Sequence, residues 1–288
     1  MDDLRSRQAA FNASSRSQWE GFAGHRRRVS ALLGAGEGQG GGQGASRLCV
    51  LGVGNANDLD LPALLARHRE VHLVDLDAGA LAGAAERQGV AGRPGLILHG
   101  GLDVSAMLDA ISGWSPFAEV GPADLRALAE WPAGRVPMVL PGPFDRVAST
   151  CLLSQLVETA SHALGDRHPR FGAVAEAIRD GHLRLLARLT APGGEATLIT
   201  DVVSTRNLPA LSGLPEEEFP ELLPMLARTR NHMHGLHPAE LRGRLRDDPV
   251  LSSKVTGVRP ARPWAWRLHD RTYLVWALSF RVGGGRSP

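Results

Sequence analysis

The chain has only two cysteines and one lysine among its 288 residues, and its charges nearly cancel. Cys49 and Cys151 cannot build a disulfide framework, and each falls in or beside an apolar run, where a buried free thiol is expected. Thirty-two basic against 30 acidic residues leave a net charge of +2, which excludes a global electrostatic case for nucleic acid or an anionic membrane. Lys254 is the only lysine, so the basic residues are arginine; with abundant Ala and Gly this reads as coding bias. No run approaches the roughly 18 apolar residues of a membrane span. The polar start, MDDLRSRQAAFN, lacks the apolar stretch of a secretory leader. These absences predict a cytoplasmic protein with no membrane and no nucleic-acid partner. The remainder, 43% hydrophobic and 22% charged, is ordinary for a soluble protein of one large α/β domain, with or without a small cap.

The most informative stretch is 48–61, LCVLGVGNANDLDL, together with VHLVDLD at 71–77. A short apolar run breaks into a glycine turn, a helix-like segment follows, and a second apolar run ends on an acid. That is the sequence form of the first βαβ unit of a nucleotide-binding sheet. Gly52 and Gly54 supply G-x-G, but the next glycine of the dinucleotide pattern falls at Asn57, which is not small. A pyrophosphate needs close approach to backbone and helix N-terminus at that point. A nucleoside without phosphates needs less, so the turn favours S-adenosylmethionine over NAD.

Further along, strands and helices alternate. Strands are predicted at 48–51, 71–74, 95–99, 144–149 and 195–201, with helices at 60–69, 78–88, from about 152, and at 182–189, the last ending at APGG. A terminal hairpin is predicted from 264–269 and 271–282. The expected fold is α/β: a doubly wound, mostly parallel seven-stranded sheet with a terminal antiparallel hairpin. Residues 1–46 are expected to form an N-terminal helical segment and a Gly-rich linker, and 47–288 the main domain. The linker's G-x-G-x-x-G (Gly36, Gly38, Gly41) precedes its strand, which is the wrong context for a phosphate loop. Two long connections, at about 105–143 and 204–263, read as cap-like insertions.

Four polar positions fall in order along this frame. The turn with Gly52, Gly54, Asn55 and Asp58 faces the amino-acid end of a ligand. Asp75, followed by Leu76, ends the second strand, where a carboxylate can take both ribose hydroxyls. Asp103, between Leu102 and Val104, follows the third strand and can accept from an exocyclic amine of adenine. Ser149 and the residues up to Gln155 follow the fourth and line the reacting centre. Each acid also has a plainer reading as a helix cap or turn residue. With this set and the segment LTAPGGEATLITD, the chain resembles the class I S-adenosylmethionine-dependent methyltransferases over roughly 47–201 plus the hairpin. It departs from their pattern at Val50, where many members carry an acid, and in matching the turn's third small residue only by Ala56. The sequence AST-CLLSQ after the fourth strand is unlike the N-P-P-Y-type motif of members that methylate adenine or glutamine nitrogen.

The resemblance implies S-adenosylmethionine as methyl donor, S-adenosylhomocysteine as product and a small-molecule acceptor; a homodimer stays open. Methyl transfer from a sulfonium needs alignment and exclusion of water more than covalent help, and a base only where the nucleophile sheds a proton. NHMHGLHP places His232, His234 and His237 in the second insertion, with His234 taken as the catalytic candidate. Structural, acceptor-binding and metal readings compete there. No acid or thiol lies nearby in sequence, and no metal is expected. His162 and His182 read as structural, and Trp19, Trp114 and Trp131 as acceptor lining or core. Two alternatives stand beside this reading: an NAD(P)-dependent oxidoreductase on a similar sheet, and a non-catalytic S-adenosylmethionine-binding regulator.

Overall fold

A computed structural model describes residues 4–34, 46–233 and 236–283. The Gly-rich linker, apart from Gly34 and Ser46, and His234 lie outside the described residues. Apolar alternation makes the central strands: Leu48 and Val50 point to one face of β1 (Arg47–Leu51), Cys49 and Leu51 to the other, and all four are buried. The helices that cover a strand follow from local caps. Asp60 caps α3 (Leu61–Leu65) through the N–H of Ala63, and Asp77 caps α4 (Ala78–Arg87) through that of Ala80.

The sheet order is β3-β2-β1-β4-β5-β8-β6, with β7 also pairing β8. Here β2 is Glu70–Asp75, β3 Leu96–Gly100, β4 Phe144–Thr150 and β5 Thr190–Ser204; β6 is Val255–Pro260, β7 Trp264–Leu268 and β8 Arg271–Val282. Strands β1 to β5 run parallel, and β8 lies antiparallel between β5 and the pair β6 and β7. The sheet thus has eight strands rather than the expected seven. β6 pairs the last residues of β8 and β7 its first, so two short strands share one edge position. β6 reads VTGVRP and is half-buried to exposed throughout, so it carries none of the apolar alternation that marks a strand. β5 likewise begins at Thr190, because APGG continues the strand with Gly193 at φ +83 instead of forming a loop.

One face of the sheet packs α6 (Pro122–Arg135), α7 (Leu152–Leu164) and α8 (Phe171–Leu189), and the other α2 (Ala23–Gly34), α3, α4 and β7. The stretch 105–143 is a crossover: α5 (Leu108–Ile111) is followed by α6, which joins β3 to β4 and packs on α8. In 204–263, α9 (Phe219–Thr229) and α10 (Pro238–Asp247) sink Phe219, Leu222, Leu226, Leu241 and Leu245 into the α8-side core. Ion pairs Arg184–Asp248 (2.8 Å) and Arg244–Asp180 (2.6 Å) link the end of α10 to α8. Among the described residues no helix is long and apolar enough to cross a membrane.

Candidate active site

The carboxyl ends of the parallel strands open into a cleft of about 470 Å³. α1 (Leu4–Ser15) contributes Leu4 and Gln8 to it, and α7 contributes Leu152, Gln155, Leu156 and Thr159. Gly52, Asp75, Leu76, Leu102, Asp103, Val104 and Leu108 come from the turns after β1, β2 and β3. Six residues singled out in the sequence therefore meet on one cleft, Gly52, Asp75, Leu76, Leu102, Asp103 and Val104, and Leu152 and Gln155 of the stretch 149–155 join them.

The turn after β1 is pressed between two helices. Gly52 sits at φ +74, and a Cβ there would stand 2.6 Å from Leu152 Cβ. Gly54 sits at φ +50, with Asn12 Oδ1 2.8 Å from where its Cβ would be. At Gly52 only glycine accommodates both the dihedral and the approach; at Gly54 the near atom is the end of a side chain that can move, and the dihedral makes the demand. Asp75 ties this turn to the next. Its Oδ2 accepts the Gly54 N–H at 2.8 Å and its Oδ1 the Asp77 N–H at 2.9 Å. Burial pushes the Asp75 carboxyl above the usual carboxylate range, and these backbone donors pull it back. Two N–H bonds leave a carboxylate with lone pairs to spare, and Asp75 borders the cleft.

Asn55 does not reach the cleft. Its amide donates to Asn12 O at 2.5 Å and Ser15 Oγ at 3.1 Å, and Asn57 donates to Ser15 O at 2.7 Å. Both side chains hold α1 over the turn. The turn's carbonyls are held in the same way: Arg26 donates to Asn57 O at 2.8 Å and Arg87 to Asn55 O, and the two guanidiniums stand over the Trp19 ring. Asp58 lies behind the turn, 8% exposed, beside Thr150 and Arg26. Burial raises its pKa to about 7, against the pull of both neighbours.

Asp103 borders the cleft but is bonded within its own loop, accepting from Ser105 N and Oγ on Oδ1 and from Leu108 N at 3.0 Å on Oδ2. Ser149 turns away altogether: its hydroxyl meets His182 Nε2 at 2.8 Å in the α8-side core. Alternation along β4 decides this, since Ser149 and Thr150 point to opposite faces. His237 caps α10, accepting from Ala239 N at 3.1 Å on Nδ1 while Nε2 donates to Leu223 O at 2.9 Å. His232 lies 3.7 Å from Glu240. Both are packing groups, and among the described residues no three acids, histidines or cysteines gather as a metal site. Trp131 stacks with Arg135, and Trp114 packs on the core. No described residue of 204–263 borders the cleft, and of 105–143 only Leu108 does, so the walls are α1 and α7 rather than the two insertions.

The cleft residues Leu4 and Gln8 escape sequence reasoning: they belong to a helix whose first turn gives no sign of where it docks. Asp201, within β5, is 5% exposed and outside the cleft lining; Ser154 Oγ donates to its Oδ1 at 2.5 Å, and burial lifts its pKa to about 6.

No protein-family model and no curated protein matches the sequence. Solved structures do. Magnesium protoporphyrin IX methyltransferase (ChlM) from Synechocystis PCC 6803, with bound S-adenosylhomocysteine, aligns at 15% identity over 96% of this chain and 98% of its own, with a TM-score of 0.50. The chain has the class I methyltransferase fold. Two other structures align across nearly the whole chain at lower scores. An O-methyltransferase family protein from Burkholderia thailandensis gives 15% identity, 99% and 62% coverage and 0.47. N-methyltransferase NodS from Bradyrhizobium japonicum WM9, in complex with S-adenosylhomocysteine, gives 12%, 98% and 90%, and 0.43. In a class I methyltransferase fold, the cleft between α1 and α7 occupies the carboxyl edge where such sheets place their ligands.

Proposed function

We propose that the protein is an S-adenosylmethionine-dependent methyltransferase acting on a small-molecule acceptor. The observation that carries this reading is that Gly52 and Asp75 border one cleft, with the Gly54 N–H bonded to Asp75 behind them. That bond joins a turn that only glycine permits to a carboxylate at the end of the neighbouring strand. The residues fit the donor's parts. Leu76, Leu102 and Val104 offer apolar surface for a base, and Asp103 an acceptor for its exocyclic amine. Asp75 offers lone pairs to vicinal hydroxyls, and the glycine turn gives backbone to the amino-acid end. Asp58, buried behind that turn, is proposed as the acid that balances the ammonium through it. The chain itself aligns and shields the reactants. α1, held by Asn12, Asn55 and Asn57, covers one side of the cleft, and alignment accounts for several kcal/mol of such a barrier.

A cleft enclosed by two helices, on a chain with a net charge of +2, favours a small acceptor over nucleic acid. Thermal unfolding with added ligand tests the reading. S-adenosylhomocysteine at ~100 times its Kd should stabilise the fold by about 2.7 kcal/mol, and NADH at the same concentration should not. No shift with S-adenosylhomocysteine would overturn the proposal, and a shift with NADH alone would favour the oxidoreductase.

A further inference from the structure

The two helical walls of the cleft are held in different ways. α7 sinks Leu153, Leu156, Val157, Ala160 and Leu164 into the core. α1 buries only the polar Asn12 and Ser15; Leu4 is half-buried against the core and Phe11 is 45% exposed. A helix ordinarily docks through an apolar stripe, whereas α1 docks through a polar one. Arg5, Gln8, Asn12 and Ser15 follow one another in steps of three and four, which puts them on one face. Along that face Arg5 pairs with Asp109 of α5 at 3.0 Å, and Gln8 Nε2 donates to Gln155 Oε1 of α7 at 2.9 Å. Asn12 Nδ2 donates to Asp77 Oδ2 at 3.2 Å. Asn55 completes the seam by donating to Asn12 O and Ser15 Oγ, and Asn57 by donating to Ser15 O. The seam thus runs from α5, which follows β3, to the turn after β1.

Each bond of such a seam is exchanged for a bond to water when the helix lifts, so its net hold is small. A 12-residue helix is also marginal by itself in water. α1 can therefore lift and unwind without opening the core, and α7 cannot. What α1 covers calls for that movement. With α1 docked, Asp75 is 6% exposed. Asn12 rests against Gly54 and Asp77, the two residues whose N–H groups Asp75 accepts. A nucleoside brings its hydroxyls to a carboxylate so covered only after a wall has moved.

We infer that α1 is a gate on the donor site: S-adenosylmethionine enters and S-adenosylhomocysteine leaves only when the seam at Arg5, Gln8, Asn12 and Ser15 parts. The inference rests on the methyltransferase reading for the identity of the ligand. Leu4 and Gln8 border the cleft, so a bound ligand adds contacts that only the docked helix makes, and it holds the gate shut. The seam itself uses protein groups alone, so it forms with or without a ligand. It therefore slows entry and exit alike and drops out of the affinity. A residue that merely touches the ligand acts on exit.

Asn55→Ala tests the gate, because Asn55 gives the seam two bonds and does not border the cleft. By stopped-flow fluorescence, association and dissociation of S-adenosylhomocysteine should both quicken about tenfold over wild type, with the Kd within about twofold. Asp109→Ala removes only the exposed pair with Arg5 and should quicken both about twofold. In the wild type without ligand, amide hydrogens of 4–15 should exchange faster than those of 152–164. Saturating S-adenosylhomocysteine should slow the exchange of 4–15 at least ~10-fold. Dissociation that quickens alone in Asn55→Ala, or neither rate changing, would overturn the inference. Should that variant fail to fold, exchange in α1 as slow as in α7 and unmoved by ligand would do so. If S-adenosylhomocysteine does not bind the wild type, the methyltransferase reading falls, and the exchange of α1 against α7 still decides whether the helix lifts.

Discussion

The Gly54 N–H donates to Asp75 Oδ2 at 2.8 Å, making the turn after β1 and the acid ending β2 one unit. Asp75→Ala therefore removes more than a ligand contact: the buried Gly54 N–H and the half-buried Asp77 N–H both lose their acceptor. The expected cost to stability is about 1–3 kcal/mol. Affinity for S-adenosylhomocysteine should fall at least ~10-fold through the lost charge-assisted bonds. Calorimetry and denaturant unfolding on one preparation separate the two effects. A Kd within twofold of wild type would show that Asp75 orders the turn and nothing else.

That unit was legible because its information is local. Apolar runs at 48–51 and 71–74, a glycine turn and a terminal acid are all short-range signals, and the structure brings Gly52 and Asp75 to one cleft. What was not legible depends on distant chain. Asn55 looks like a ligand group until α1, some 40 positions earlier in sequence, is seen to take its amide, as it takes that of Asn57. Ser149 falls to the strand's alternation, which puts its hydroxyl on His182. β6 was hidden because an exposed edge strand has no buried face to write a pattern into the sequence. The apolar positions of α9 and α10 do show helical spacing, but spacing alone does not say whether a helix caps a cleft or packs on α8.

Asp58 predicts a dependence on pH that opposes its proposed role. Its pKa rises from the ordinary carboxylate value to about 7 on folding, so the folded state holds a proton that the unfolded state releases. Its favourable contribution is complete below about pH 4 and is lost as pH climbs through 7. Asp58→Asn escapes that loss. The variant should gain at least about 3 °C in Tm over wild type at pH 8 and little at pH 5, while S-adenosylhomocysteine binds more weakly. A Tm difference that is the same at both pH values would show that Asp58 stays charged in the fold.

Asp248 separates scaffold from site. It is fully buried after α10 and accepts from Arg184 at 2.8 Å, Val250 N at 2.8 Å and Leu251 N at 3.0 Å. Arg184 and Arg244 are only partly buried, so water can solvate each cation once the acid is gone. The buried Leu251 N–H has no such recourse. Asp248→Ala should therefore cost about 2–4 kcal/mol, toward the lower end of a broken buried pair. Because no described residue of the second insertion borders the cleft, affinity for S-adenosylhomocysteine below the unfolding temperature should stay within about twofold of wild type. An affinity that falls along with stability would mean that the α8–α10 contact sets the geometry of the cleft. The insertion would then belong to the functional unit despite its position on the far face of α8.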